Sequence, residues 1–406
     1  MIWQMGWRNI WRNPRRTIVI MIAVVIGIWN MIFLGALMRG VADQMVRNGI
    51  ATLTGHIQVQ HKGYRRDPVI ENSIAEPKAV VEALESDLPP GANWAPRLRV
   101  NAIVSNARHS RGATLVGIDP QREAAVSFIG QVAIDGRYLE AGDGLGIMIG
   151  RKMAENFETG LGRKLVLMAQ DSSGEIASRA FRIAGIYRAE LEATEAQFVF
   201  VTLPAAQEML KLPGGISEAS ILLASSSEAE EAADRLRSAL PSDEYAVFTW
   251  QQLLPALFAV LKMYDVVILL WYLAVFIAMG FGIVNTTLMA VFERIREFGL
   301  MKALGMKPLW IVREVLVESV ILLVMGMAAG NLLGFLSVLA LHGGIDLSSL
   351  ALGLEFAGMP RVVYPVIMYK DVASANLMVL LLGLLVSLYP AVKAARFTPV
   401  EALAYT

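Results

Sequence analysis

Four long runs without a charged residue constrain this chain more than any other feature of its sequence. They cover residues 17–38, 266–292, 319–345 and 372–392 and are 22, 27, 27 and 21 residues long. Because about 20 apolar residues in a helix cross the hydrocarbon core of a bilayer, each run can span a membrane. The first run is too long for the core of a signal peptide, and no small-residue cleavage site follows it. The sequence therefore predicts four transmembrane helices.

The distribution of lysine and arginine predicts how these helices are oriented. The segment before the first run holds four arginines and no acidic residue, and the loop 293–318 holds five basic residues, whereas the loop 346–371 holds two. Short loops rich in Lys and Arg are typically cytoplasmic. We therefore expect both termini and the loop 293–318 to be cytoplasmic, and residues 39–265 to lie outside.

The first segment, residues 1–16, predicts a helix that lies along the membrane surface. Large apolar side chains recur there at helical spacing, at Trp3, Trp7, Ile10 and Trp11. Arginines occupy the remaining faces, and Pro14 separates the segment from the first span. Trp is favoured at the apolar boundary of the headgroup layer and Arg near its phosphates. We therefore expect an interfacial amphipathic helix.

The outer region predicts a folded α+β domain. Two strand–helix–strand segments, at 51–111 and 205–249, flank a stretch at 112–204 that is rich in short apolar strands and glycine turns. This order is typical of one α+β subdomain that carries a β-rich insertion. Helical periodicity also continues beyond the membrane runs, which predicts stalk helices within 17–50 and 250–292.

Charge and cysteine content exclude several classes of function. The outer region holds 23 basic and 28 acidic residues, and the rest of the chain holds 13 and 8. A mildly acidic soluble part with basic membrane flanks argues against nucleic acid as a partner. The chain has no cysteine, so disulfides and thiolate metal sites are excluded.

No pattern in the sequence predicts a catalytic centre or a cofactor bound by this chain. The phosphate-binding signature Gly-x-x-x-x-Gly-Lys-Ser/Thr is absent, and the four histidines do not form a set of metal ligands. None of the four apolar runs carries a charge, which disfavours a proton-coupled transporter. We therefore expect a chain that is not an enzyme and binds no metal or nucleotide itself.

Three glycines in the third run predict a close contact between helices. Gly326, Gly330 and Gly334 lie four residues apart. Small residues at this spacing let two helix backbones approach closely, although glycine is also common in membrane helices generally. The sequence does not distinguish a partner helix in the same chain from one in a second subunit.

A short charged segment between the second and third runs, residues 293–306, predicts an amphipathic helix. Apolar residues recur three apart along it, at Ile295, Phe298, Met301 and Leu304. Gly299 weakens such a helix and Gly305 can end it. The pattern fits a helix that presses on a cytoplasmic partner, with Phe298 as its anchor, and it also fits a solvated connecting loop.

The order of residues in this segment resembles a family signature. Residues 296–305, which read REFGLMKALG, are similar to the R-E-x-G-x-x-K/R-A-L-G motif of FtsX/MacB/LolC-type permeases, the membrane subunits of one class of ABC transporter. The end of the chain, including the tail 393–406, is similar to the family's C-terminal pattern. In that family the segment is the coupling helix that docks on a cytoplasmic ATPase. The resemblance gives this role to Glu293, Arg294, Arg296, Glu297, Phe298, Gly299, Lys302, Ala303, Leu304 and Gly305.

The resemblance also implies an architecture and a set of partners. It implies an α-helical membrane domain of four transmembrane helices and a large extracytoplasmic α+β domain, in which a β-rich, Sabre-like insertion interrupts a Porter-like subdomain. The location would be the bacterial inner membrane, with residues 39–265 in the periplasm. The partners would be a dimer of ATPase subunits that bind ATP and Mg²⁺, a second permease subunit in a homo- or heterodimer, membrane lipids and a periplasmic carrier.

Three further segments, TGHIQVQHKGY, LVGIDP and GRYLEAGDG, are similar to the LolC/LolE branch of the family, which handles lipoproteins. This branch implies that ATP-driven motion moves a lipoprotein or other amphipathic, lipid-like cargo out of the inner membrane. Two alternatives stay open. A MacB-like efflux subunit is disfavoured because MacB carries its ATPase on the same chain, and an FtsX-like regulator of a cell-wall hydrolase is disfavoured by the large outer region.

Overall fold

The computed structural model describes residues 2–346 and 362–404 of the chain. The chain forms two compact units. One unit, called the membrane unit here, consists of Met1–Gln44 and Val260–Thr406, and the other, called the sheet unit, consists of Met45–Ala259.

Helices of very different lengths occur along the described residues. In chain order they are α1 (Ile2–Arg12), α2 (Pro14–Gly49), α3 (Lys78–Asp87), α4 (Pro120–Glu123), α5 (Arg151–Asn156), α6 (Glu192–Gln197), α7 (Leu203–Met209), α8 (Ala229–Ala239), α9 (Trp250–Leu253), α10 (Pro255–Glu293), α11 (Ile295–Ala303), α12 (Pro308–Ala340), α13 (Tyr369–Arg396) and α14 (Pro399–Ala404). The helices α2, α10, α12 and α13 are long and apolar enough to cross a membrane. The predicted four spans are therefore confirmed.

The ends of these helices differ from the ends of the uncharged runs. The helix α12 begins at Pro308, well before the third run, because proline is favoured in the first turn and the glutamates that follow are paired inside the protein. It ends at Ala340, so the predicted span 319–345 is wrong at its end. Leu341 follows with a φ of −101° and a ψ of 17°, outside the helical conformation, and Gly344 in the turn beyond it has a φ of +88°. The absence of charge marks an apolar segment but not the residue at which its helix ends.

Two apolar clusters lie in the described part of the membrane unit. The larger joins α2, α10, α12 and α13 through side chains that include Val24, Ile28, Met31, Phe276, Met279, Leu323 and Val379. The smaller lies where α11 meets the neighbouring helices and includes Val291, Phe298, Ile311, Val315, Ala391 and Ala394. Many other apolar side chains of the spans are exposed, such as Leu270 and Phe281. Outward-facing apolar residues are expected where lipid surrounds the helices.

The sheet unit is built on one large mixed sheet. Its strands are β1 (Ile57–His61), β2 (Asn93–Ser105), β3 (Ser110–Ile118), β4 (Ile134–Gly136), β5 (Gly146–Gly150), β6 (Lys164–Gln170), β7 (Ile176–Tyr187), β8 (Phe198–Thr202), β9 (Glu218–Leu222) and β10 (Tyr245–Thr249). The order across the sheet is β10-β1-β9-β2-β3-β8-β5-β7-β4, and β6 pairs with β2 and β7. A two-stranded pair, β11 (Ile345–Asp346) and β12 (Val362–Val363), belongs to the membrane unit.

The long strand β2 joins the two predicted parts of the sheet unit. Its first half pairs with β9, and its second half pairs with β3 and β6. The strand β1 lies between β9 and β10, so the segments 51–111 and 205–249 interleave in one sheet. Hydrogen bonding is thus continuous from these segments into the stretch 112–204. The subdomain boundaries themselves stay a prediction.

The sheet is buried on both faces near its centre. Leu115 and Val116 follow each other in β3, and their side chains enter two different apolar clusters. Successive side chains of a strand point to opposite faces, which explains this arrangement. Arg97 of β2 is fully buried and pairs with Glu123 at 2.8 Å and with Glu218 at 3.5 Å. This ion cluster ties β2 to α4 and β9.

Candidate functional site

The candidate site is the segment between α10 and α12, where the chain forms the short helix α11. Arg294 interrupts the helical path from α10, with a φ of −108° and a ψ of 12°. The helix ends at Ala303, and Gly305 follows with a φ of +89°. Glycine adopts this left-handed conformation without steric cost, so it is well suited to ending a helix. The chain then turns directly into Pro308.

Phe298 faces the interior of the membrane unit. Its side chain is 1% exposed and packs in the cluster with Val291, Ile311 and Val315. The prediction that Phe298 is an anchor for a partner protein is therefore wrong. Ile295 and Phe298 of the predicted apolar repeat are buried inside the chain, whereas Leu304, the last member of the repeat, is exposed.

A different set of apolar side chains faces outward. Residues 303–310 are all exposed. Within and beside this stretch lie five large apolar side chains, which we call the exposed strip: Leu300, Leu304, Met306, Leu309 and Trp310. Leu304 is 81% exposed, the highest value among the five. Lys307 and Arg313 are exposed beside the strip. This surface combines apolar area with positive charge.

Arg294 fixes the beginning of α11 to α12. Its guanidinium donates to Glu318 at 2.7 Å, to Glu314 at 2.7 Å and to Glu297 at 3.1 Å. Asn9 of α1 donates to the same two glutamates of α12, at 2.9 and 2.7 Å. Burial alone would lower the pKa of Arg294, but the charges and hydrogen bonds of Glu318 and Glu314 outweigh burial, so its pKa is raised. The group stays charged, and the pairs hold α11 in place.

Lys302 and Gly299 fix the other end of α11 to the C-terminal helices. The Lys302 ammonium donates to the main-chain oxygens of Ala395 at 2.9 Å and Phe397 at 2.6 Å. These carbonyls lie at the end of α13, where helix oxygens lack partners and a cation is favoured. A Cβ on Gly299 would lie 2.5 Å from the Cβ of Ala402. Only glycine therefore allows this approach of α11 and α14.

The remaining predicted coupling residues lie at the edges of the helix. Glu293 accepts from Asn13 and Arg16 at 3.2 and 3.3 Å. Glu297 also pairs with Arg12 at 2.5 Å. Partial burial would raise the pKa of Glu297, but its hydrogen bonds and charge interactions with the two arginines lower it. The side chains of Arg296 and Ala303 are exposed.

The three glycines of α12 face α2 of the same chain. A Cβ on Gly326, Gly330 or Gly334 would lie 2.6, 2.7 or 2.9 Å from a side-chain atom of Val24, Ile28 or Ile32, respectively. Cβ atoms essentially never approach so closely, so the glycines allow the backbones of α2 and α12 to pack. This contact involves a helix of the same chain.

The residues that form ion pairs and hydrogen bonds with Arg294 and Glu297 at the beginning of α11 were not predicted from the sequence. Glu314 and Glu318 lie one helical turn apart, which puts both carboxylates on one face of α12. That spacing, near a segment rich in arginine, was the available signal. Asn9 and Arg12 of α1 gave no signal of their own, because their partners come from a distant part of the sequence. Within residues 2–346 and 362–404, no group of three His, Asp or Glu side chains could hold a metal ion.

Two family models together match most of the chain. Residues 17–239 match the model of the MacB-like periplasmic core domain. Residues 268–399 match the model of the FtsX-like permease C-terminal domain. The second match includes α11, the exposed strip and the three glycines of α12.

Individual proteins resemble the chain over different lengths. The lipoprotein-releasing system transmembrane protein LolC of Xylella fastidiosa is 24% identical over 398 residues, which covers 95% of this chain and 92% of that protein. The ABC transporter permease YknZ of Bacillus subtilis is 24% identical and covers 99% and 98%. The macrolide export ATP-binding/permease protein MacB of Bdellovibrio bacteriovorus is 33% identical over 31% of this chain and 17% of its own. The solved periplasmic region of MacB from Actinobacillus actinomycetemcomitans is 13% identical, covers 52% of this chain and 97% of its own, and has a TM-score of 0.37.

Proposed function

Because this chain belongs to the family of ABC transporter permeases with a MacB-like periplasmic core domain and an FtsX-like C-terminal domain, we propose that it relays motion from a separate ATPase to its sheet unit. The relayed motion moves a lipoprotein or another amphipathic, lipid-like cargo out of the membrane. The chain itself performs no catalysis in this proposal. ATP and Mg²⁺ are bound by the partner ATPase.

The observation that carries the proposal is the way α11 is held. Arg294 ties its first residues to α12, and Lys302 ties its last residues to the end of α13. Phe298 fills the space between these attachments. A packed and ion-paired element of this kind moves as a unit rather than deforming gradually. Force applied to α11 therefore reaches the ends of three membrane helices together.

The exposed strip is the surface that receives this force. Leu300 and Leu304 offer apolar side chains for a groove on the ATPase, and Trp310 supplies an aromatic one. Apolar and aromatic side chains at the centre of an interface dominate its affinity, while rim charges steer association. Lys307 and Arg313 provide such a rim, which favours a groove bordered by carboxylates. In this proposal α11 and the strip face the cytoplasm, together with both termini.

Lipoprotein is the favoured cargo because the likeness to LolC extends over 95% of this chain. The likeness to MacB covers 31% of it, which supports efflux of small molecules less strongly. Regulation of a cell-wall hydrolase is the second alternative. We further propose that the chain lies in the bacterial inner membrane with residues 39–265 in the periplasm. There it would pair with a second permease subunit, contact an ATPase dimer and hand cargo to a periplasmic carrier.

Orientation is tested by labelling single cysteines, since the chain has none of its own. Ser172→Cys in the sheet unit and Lys307→Cys beside the exposed strip are both at exposed positions. A membrane-impermeant maleimide should label the first in intact spheroplasts and the second only after lysis. The reverse pattern would contradict the proposal.

Cargo is tested in proteoliposomes that contain the chain, its copurifying ATPase and either an acylated protein or a small amphipathic dye. The proposal predicts ATP-dependent transfer of the acylated protein to a soluble acceptor, which is absent when the ATPase is omitted. Transfer of the dye alone would favour efflux. If neither cargo moves while ATP is hydrolysed, the regulatory alternative is favoured.

A further inference from the structure

The helix α1 has one buried face and one exposed face. On the buried face, Ile10 is 1% exposed, and a Cβ on Gly6 would lie 3.1 Å from Val317 of α12. Large apolar side chains fill much of the exposed face, at Trp3, Met5, Trp7 and Trp11. The rings of Trp7 and Trp11 meet edge to face, with centroids 6.0 Å apart. The helix is thus fixed to the protein on one side and presents paired indoles on the other.

The charges of this region are unbalanced. Residues 1–16 contain four arginines and no acidic residue. In the described part of the chain, Arg8 and Arg15 make no ion pair with a carboxylate, and both are exposed. Arg12 pairs with Glu297 yet keeps 63% of its side chain exposed. A guanidinium has five N–H donors, so Arg12 can bind a second anion without releasing Glu297.

A groove lies between α1 and α11. It has a volume of about 750 Å³ and is bordered by Trp7, Arg8, Trp11, Arg12 and Met301, with carboxylates only at Glu297 and Glu314. Both carboxylates are already bound by Arg294. Among the described lining residues, the three arginines Arg8, Arg12 and Arg294 outnumber the two carboxylates, and aromatic rings flank the groove.

We propose that this groove binds the headgroup of an acidic phospholipid. Arg8 and Arg12 would hold the phosphate, while Trp7 and Trp11 would lie against the glycerol and the start of the acyl chains. Guanidinium groups match phosphate oxygens geometrically, and indoles favour the boundary between headgroups and hydrocarbon. The membrane-spanning helix α2 begins at Pro14, directly after α1, so a bilayer lies next to the groove. An acidic lipid carries one more negative charge in its headgroup than a zwitterionic lipid. The groove favours the acidic lipid because Arg8 has no carboxylate partner in the described part of the chain.

This site would link the bilayer to α11. Arg12 would touch a lipid phosphate and Glu297 together, and Glu297 is also bound by Arg294. The lipid site itself does not depend on the proposed transport function. It can fail while that function stands, and the reverse is also true.

The test uses the full chain with one cysteine introduced at Gln4, which is exposed on α1 between the indoles and the arginines. The cysteine is labelled with a fluorophore, and the protein is reconstituted in phosphatidylcholine vesicles. One set of vesicles contains a small fraction of brominated phosphatidylglycerol, and the other contains the same fraction of brominated phosphatidylcholine. Quenching of the fluorophore is compared between the two sets. Each basic residue near an acidic surface contributes a preference of about fivefold. We expect brominated phosphatidylglycerol to quench the fluorophore at a correspondingly lower concentration than brominated phosphatidylcholine. This preference for the acidic lipid should decrease as the salt concentration is raised.

Three double variants decide the result. Arg8→Gln with Arg12→Gln should abolish the preference, while Arg8→Lys with Arg12→Lys should keep most of it. Arg108→Gln with Arg111→Gln in the sheet unit removes the same charge and should leave the preference unchanged. Equal quenching by both lipids in the unsubstituted protein would overturn the proposal. A preference that survives the first pair of substitutions would also overturn it, because the acidic lipid would then bind elsewhere.

Discussion

The ammonium group of Lys302 lies 2.6 Å from the main-chain oxygen of Phe397, just beyond the end of the last membrane helix. It donates to Ala395 as well. A residue that the sequence assigns to docking on a partner thus acts inside the chain, as a cap for α13. The helix α11 and the end of the last membrane helix are therefore joined directly by hydrogen bonds.

Lys302→Met should uncouple the ATPase from transport. The substitution removes two charge-assisted hydrogen bonds, each worth about 1.5–3 kcal/mol, and leaves two carbonyl oxygens of the α13 end without a partner. We expect ATPase binding to persist and cargo transfer per ATP hydrolysed to fall. Lys78→Met is the matched control, because Lys78 is exposed on α3 of the sheet unit and is not part of the strip. Equal transfer by the two variants would show that the Lys302 contacts do not transmit motion.

Arg294→Met should destabilise the membrane unit. Glu314 and Glu318 have side chains that are 9% and 11% exposed, and they would lose their buried cation. Removing one partner of a buried ion pair typically costs about 3–5 kcal/mol. The measurement is thermal unfolding in detergent. The triple variant Arg294→Met, Glu314→Gln and Glu318→Gln should recover much of the loss, since no isolated charge remains, and an equally unstable triple variant would contradict the explanation.

Gly330→Leu should separate α2 from α12. A Cβ at this position would already lie 2.7 Å from the Cβ of Ile28, and overpacking typically costs about 1–3 kcal/mol. Ala328→Leu adds a similar side chain at an exposed position of the same helix and serves as the control. We expect a lower unfolding temperature and weaker crosslinking between cysteines placed in α2 and α12 for the first variant alone. If both variants behave alike, the glycines are incidental.

Acid should weaken the sheet unit through His56. Burial lowers the pKa of this side chain below its ordinary value of 6.5, and its Nδ1 accepts a hydrogen bond from the N–H of Leu223 at 3.0 Å. The unfolded chain therefore takes up a proton at a higher pH than the folded chain. The contribution to stability is complete above the ordinary value and is lost as the pH falls through the lowered pKa.

Hydrogen exchange of the full chain checks this pH dependence. Protection of β1 and β9 should decrease from about pH 7.5 to about pH 5.5, values that lie on either side of the unperturbed pKa. His56→Asn, which keeps an acceptor and cannot titrate, should flatten the dependence. His109→Asn at an exposed position should not. A dependence unchanged by His56→Asn would assign it to other groups.

Local pattern was enough to predict four apolar spans and a short helix between the second and the third, although that helix covers Ile295–Ala303 rather than 293–306. These features depend on runs and periods within one segment of sequence. Which way α11 faces could not be predicted in this manner. Phe298 and Leu304 have the same place in the apolar period, yet one is 1% exposed and the other 81%. A three-residue repeat does not match the 3.6 residues of a helical turn, so Leu304 points to a different side from Phe298, and it also follows the last helical residue, Ala303.

Ion pairs between residues that are far apart in the sequence could not be predicted from it either. Glu318 ends an uncharged run, so the sequence predicts that a membrane span begins directly after it. In the structure it lies within α12 and binds Asn9 and Arg294. Arg97 shows the same limit in the sheet unit, where a strand arginine is fully buried because Glu123 and Glu218 reach it from other elements. Such pairs override the expectation that charge marks the surface.

The central claim is that the exposed strip, rather than Phe298, docks on the ATPase. The most direct test is the affinity between the chain and its copurifying ATPase when Leu300 and Leu304 are both replaced by serine. Removing apolar anchors of this kind should weaken binding by about five- to 150-fold, which corresponds to roughly 1–3 kcal/mol. Replacing the exposed Leu145 and Leu161 of the sheet unit by serine is the control and should leave the affinity unchanged. Unaltered affinity of the Leu300 and Leu304 variant, in correctly inserted protein, would contradict the account.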